Sequence, residues 1–125
     1  MRYLIAATAP NLEAKIAKRF GHAPYFLVLD PETHRFEAIK GPDEKEPSYG
    51  ISRFTGKDIE RVILGNIGPH AFRDLITAGW EIYACIGMSV KDAVDKVRKG
   101  EVAPLRAPTM KHSIRPGLSG TGGRR

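Results

Sequence analysis

Few residues in this 125-residue chain have the type and spacing to do chemistry. The four histidines are His22, His34, His70 and His112, and no two lie close enough in sequence to form a local metal-binding pair. Cys85 is the single cysteine, so it can supply at most one thiolate to a zinc or iron–sulfur site. It falls in an apolar run, where a buried, inert thiol is expected. His22 precedes one apolar run and His70 follows Gly68-Pro69, so either could give a single metal ligand at a ligand edge. An exposed or packed histidine explains each more simply, and His34 and His112 carry no expected role. Asp30 and Glu32 end a predicted strand, but its neighbour offers no carboxylate. A two-metal nuclease needs several converging acids to hold ions ~4 Å apart. The chain has no Gly-x-Ser-x-Gly elbow, no Walker loop and no dinucleotide fingerprint. Nothing here argues for an enzyme.

Three loops offer a different chemistry. They are Ala7-Thr8-Ala9-Pro10, Gly65-Asn66-Ile67-Gly68 and Gly87-Met88-Ser89, each following an apolar run read as a parallel strand. In an open α/β sheet, ligands bind beyond the carboxyl ends of such strands, where backbone N–H groups and helix starts attract anions. Thr8, Gly65, Asn66, Gly68, Gly87 and Ser89 are therefore candidate binding residues. Gly65 and Gly68 would let a bulky anion approach the backbone closely. Helix-start turns with no ligand explain the same residues equally well.

The elements that would position these loops follow from patterning. Tyr3 to Ala9 and Tyr25 to Leu29 are continuous apolar runs, the signature of strands buried on both faces. Leu12, Ile16 and Phe20 recur every fourth residue and predict a short helix over 10–19. Asp30 to Thr33 makes a turn into a hairpin partner, Arg35 to Lys40. A polar connection with two prolines follows, then a short helix over Ile51 to Thr55. Ile59 to Leu64 reads as a strand, and Pro69 starts a helix that Gly79 closes. Trp80 to Ile86 reads as an edge strand. Ser89 and Asp92 form a capping box for a helix that runs up to Gly100. This order predicts an α/β domain, a mixed sheet with helices on both faces.

Charge separates the chain into two parts. Residues 1–103 hold 15 basic and 14 acidic side chains, a nearly neutral domain. Residues 104–125 add Arg106, Lys111, Arg115, Arg124 and Arg125 with no acid, so the net charge of +6 reports a basic end rather than a basic folded face. That end is rich in glycine and proline without periodicity, and is expected to be a disordered tail. No apolar run approaches the ~20 residues of a membrane span. The apolar start is far shorter than the ~15–30 residues of a secretory leader, which with the lone cysteine suggests a reducing cytoplasm.

The runs Arg19 to Phe26, Gly65-Asn66-Ile67-Gly68-Pro69-His70-Ala71-Phe72, Ile82-Tyr83 and Gly87-Met88-Ser89-Val90 resemble the dinitrogenase iron–molybdenum cofactor biosynthesis family. That family includes NifX-type carriers and the C-terminal part of NifB. The resemblance covers residues 1 to about 103 and is closest to the small stand-alone archaeal type, which tends to end in a Gly/Arg-rich tail. It implies a ribonuclease H-like, three-layer α/β/α fold with a five-stranded mixed sheet. It also implies non-covalent binding or carriage of an iron–sulfur or molybdenum-containing metal–sulfur cluster, one that can be absent from the isolated protein. Partners would be cofactor-assembly or delivery proteins, and the state a monomer or weak dimer. Phe20-Gly21 matches the family's His-Phe-Gly motif, with Arg19 in place of the cluster-binding histidine. An arginine cannot ligate metal, but it can pair with an anionic thiometallate. The family's glycine-rich segment is reduced to Ser48-Tyr49-Gly50. A ligand-free protein–protein adaptor and a nucleic-acid-associated protein acting through the basic tail are the alternatives.

Overall fold

The computed structural model describes residues 1–41, 54 and 56–111. Strands β1 (Arg2–Ala7), β2 (Tyr25–Leu29), β3 (Phe36–Lys40), β4 (Ile59–Leu64) and β5 (Glu81–Ala84) form one sheet in the order β3-β2-β1-β4-β5. β1 pairs with β4 and β4 with β5 in parallel, while β1–β2 and β2–β3 are antiparallel. The three strands expected to be parallel are so, and they lie side by side.

Side chains on a strand alternate between faces, which explains why β1 is apolar throughout. Tyr3, Ile5 and Ala7 join one core with Leu27, Leu29, Ile63 and Tyr83, covered by helix α2 (Val90–Arg98). Leu4 and Ala6 join the opposite core with Phe26, Val62, Leu64 and Ile82, covered by helix α1 (Pro69–Thr77). Three layers result. α1 begins with Pro69 behind an N-cap at Gly68, and Gly79 follows its end at φ +87°. α2 ends before Gly100 at φ +76°, the left-handed conformation that favours glycine.

The helix expected over 10–19 does not form. Its fourfold spacing is misleading, because Ala14 and Ile16 enter the core under α2 whereas Ala17 and Phe20 enter the core under α1. One helix face cannot serve both sides of a sheet. The segment instead crosses the carboxyl ends of the strands and closes in a single 3-10 turn, Phe20–His22, with Phe20 packed edge-on against Phe26 at 5.4 Å. The short helix expected over Ile51 to Thr55 lies outside the described residues except for Phe54, as does Ser48-Tyr49-Gly50.

Contacts with the domain continue past the boundary expected near residue 103. Leu105 donates its N–H to the Ile82 carbonyl at 2.7 Å and packs against the α1-side core. Thr109 and Met110 bond to Ile67. Backbone bonds therefore tie the chain to the sheet and the Ile67 loop as far as Met110, because such bonding does not require apolar periodicity.

Candidate functional site

At the carboxyl edge of β1, β4 and β5, the crossing segment is held by its own backbone. The Thr8 N–H donates to the Lys15 carbonyl (3.0 Å), and Ile16 N–H donates to that of Met88 (2.9 Å). Further along, Asn66 N–H donates to the Lys18 carbonyl (2.7 Å) and Phe20 N–H to that of Asn66 (2.9 Å). Bridges pair Lys15 with Ser89 and Arg19 with Asn66. Two groups of expected residues are thus brought together: Thr8, Gly87 and Ser89 around Lys15, and Arg19, Gly65 and Asn66 around the crossing point. His22 is exposed in the 3-10 turn, with its N–H bonded to the Arg19 carbonyl (3.2 Å). His70 is the second residue of α1 and is exposed.

Several of these residues do something other than wait for a ligand. Gly65 lies against the carbonyls of Ala17 and Lys18, so close that a Cβ there would collide with both. The protein's own chain, not an anion, occupies the space its missing side chain leaves. Gly68 sits at φ −85°, a conformation open to any residue. Gly87 at φ +86° is required by its turn. The Ser89 hydroxyl accepts the Asp92 N–H (3.2 Å), and the N–H groups of Val90 and Lys91 donate to the carbonyls of Ala14 (2.8 Å) and Leu12 (3.0 Å). The start of α2 therefore has its first three N–H groups bonded within the protein, so the expected anion cradle there is filled. By contrast, α1 has no side-chain cap. Thr8 donates its hydroxyl to the Lys15 carbonyl (3.2 Å).

Sequence reading singled out Arg19 but missed the two lysines that share the crossing segment with it. Lys15, Lys18 and Arg19 are all exposed on it, against the single carboxylate Glu13. Lys15 reaches the Gly87 carbonyl at 3.5 Å, and Arg19 stands beside Asn66. The residues were visible as a basic run, but only the crossing places them over the strand ends. Metal-ligand chemistry is thin. Among the described residues no group of three or more His, Cys, Asp or Glu could hold a metal ion. Cys85 is buried, and burial pushes its thiol up to about 11, which makes it a poor ligand or nucleophile.

Strand order 3-2-1-4-5 with an antiparallel second strand, a helix on each face and a loop-built carboxyl edge define a ribonuclease H-like α/β domain. Residues 1–100 match the dinitrogenase iron–molybdenum cofactor family, and the chain belongs to it. Among solved structures it is similar to the apo form of the orange protein from Desulfovibrio gigas, at 27% identity and TM-score 0.79, covering 87% of this chain and 96% of that one. A Thermotoga protein provisionally assigned as NifB is 26% identical with TM-score 0.72, over 87% and 97% of the two chains. A Methanocaldococcus jannaschii protein provisionally assigned as a dinitrogenase shares the fold, at 21% identity and TM-score 0.65 over 86% and 97%. No curated protein matches the chain. No helix among the described residues is long and apolar enough to cross a membrane.

Proposed function

We propose that the protein is a non-enzymatic carrier whose carboxyl edge holds an anionic metal–sulfur cluster as cargo, iron–sulfur or molybdenum-containing, without covalent attachment. The observation that carries this reading is the crossing segment, which sets Lys15, Lys18 and Arg19 over the strand ends beside the Gly65–Gly68 loop. The donor set favours the same cargo. A bare divalent ion needs about four ligands in a cage, whereas a preformed cluster brings its own sulfides and needs a positive cradle. Arg19 suits that role, since its guanidinium pairs with an anion and cannot ligate the metal. His22 and His70 would give at most single ligands. A similar protein solved in an apo form supports a ligand-taking role on this fold. Delivery would involve other cofactor-assembly proteins in the cytoplasm.

Anaerobic titration with tetrathiomolybdate, followed by absorption spectroscopy, tests the reading. Binding should be one-to-one and weaken as salt is added. Arg19→Glu should lower affinity about tenfold or more, while Cys85→Ser should leave it unchanged. A featureless titration, or tight zinc binding that requires Cys85 and two histidines, would refute the carrier reading.

A further inference from the structure

Ile67 is buried in the loop between β4 and α1, and both of its backbone polar groups are served from far along the chain. Its N–H donates to the Thr109 hydroxyl oxygen at 2.8 Å. Its carbonyl accepts the N–H groups of Thr109 and Met110, each at 3.1 Å, and the Thr109 hydroxyl lies 3.4 Å from the same oxygen. A few residues earlier, Leu105 N–H donates to the Ile82 carbonyl of edge strand β5 at 2.7 Å. Residues 105–110 thus form a strap from the β5 edge to the loop that opens α1. The strap lies beyond residue 100, where the family match ends.

What the strap holds is part of the candidate site. Asn66, next to Ile67, bonds to Lys18 and Phe20 on either side of Arg19. Gly68, on the other side, is the N-cap of α1. If Thr109 left, a buried N–H and carbonyl would lose their partners, and buried backbone groups do not stay unpaired cheaply. The loop would move until they found new partners, and Asn66 would carry the crossing segment with it.

We propose that residues 105–110 are a latch that sets the conformation of the Gly65–Gly68 loop, and through it the affinity of the carboxyl edge for its anionic cargo, with Thr109 as the positioning residue. Only the affinity half rests on the carrier reading. Anything that draws Thr109 off Ile67 loosens the edge, which gives a delivery partner a handle outside the cargo site.

Amide hydrogen exchange on the full chain tests the latch without a ligand. In Thr109→Val, which keeps the side-chain shape and removes the hydroxyl, the Ile67 amide should exchange about tenfold faster, the scale of one lost part-buried hydrogen bond. The amides of Leu4, Val62 and Ile63 in the central strands should not change, and Thr109→Ser should restore Ile67. Affinity for tetrathiomolybdate should fall several-fold in Thr109→Val and return in Thr109→Ser. An unchanged Ile67 amide, or equal acceleration across the sheet, overturns the latch; so does unaltered affinity in a variant whose Ile67 amide has been freed. If the wild-type protein does not bind tetrathiomolybdate, the carrier reading falls, and the Ile67 exchange rate still decides whether the strap sets the loop.

Discussion

Arg61 acts at the opposite end of the strands from the candidate site. Its guanidinium lies 5.7 Å from the Tyr3 ring centroid and 5.5 Å from that of Tyr83. Nε donates to Glu81 (3.1 Å), and Nη1 donates to the Tyr3 hydroxyl (3.1 Å) and reaches the Val97 carbonyl (3.5 Å). Tyr83 donates its hydroxyl to the same Glu81 oxygen at 2.9 Å, and burial together with that bond pushes its phenol up. Burial works against the charge of Arg61, but the two tyrosines and Glu81 outweigh it and hold the guanidinium firmly protonated. One side chain therefore ties β1, β4, β5 and the last turn of α2. Arg61→Ala should cost about 1–2 kcal/mol in urea unfolding, the sum of part-buried cation–π contacts and the lost hydrogen bonds to Glu81 and Tyr3. Arg61→Lys should recover less than half, because a compact ammonium lacks the flat, extended guanidinium that stacks on the rings while its separate nitrogens reach separate acceptors. A loss below about 0.5 kcal/mol, the usual range for surface substitutions, would show the cluster to be decorative. None of this was legible from residue types. Tyr3, Arg61 and Glu81 become neighbours only through strand register, which pairs Tyr3 with Arg61 and Arg61 with Glu81.

Elements bounded by strong local chemistry were legible. β2 and β4 have the limits that their apolar runs predict, and both helices begin and end at their Pro, Ser and Gly signals. The crossing segment was not, because a period of four in three residues says nothing about which side of a sheet each one reaches. Its burial on two faces is a property of the assembled sheet. The same holds for α2. Its cap was readable from Ser89 and Asp92, but the carbonyls of Leu12 and Ala14 that consume its next N–H groups come from that crossing segment. Capping and cargo binding make opposite forecasts for Ser89. As a cap, Ser89→Ala should cost about 1 kcal/mol of stability and leave tetrathiomolybdate affinity as it was. A large loss of affinity with little loss of stability would return Ser89 to the binding surface.

At the scale of the whole molecule, charge and packing divide the chain at different places. The near-neutral part ends around residue 103, yet backbone bonds hold the chain to the domain as far as Met110. Composition gives the first division and cannot see the second, since a strap needs only accessible carbonyls and one hydroxyl at the right distance. The difference is measurable by two truncations. Stopping after Ala103 removes the partners of Ile82 and Ile67 and uncovers the core beneath Leu105. The four hydrogen bonds lost, three from the Leu105, Thr109 and Met110 N–H groups and one to the Thr109 hydroxyl, and one partly buried leucine amount to roughly 3–6 kcal/mol. For a domain of this size each kcal/mol is worth about 4–8 °C, so the thermal midpoint should fall by about 10 °C or more. Stopping after Lys111 keeps the strap and removes residues 112–125, whose composition offers little to pack. That truncation should leave the midpoint within about two degrees. It also removes Arg115, Arg124 and Arg125, so any salt-sensitive binding to nucleic acid should weaken while tetrathiomolybdate binding at the carboxyl edge persists. Equal midpoints for the two truncations would mean that residues 105–110 contribute nothing to the fold, and that the charge boundary is the structural one after all.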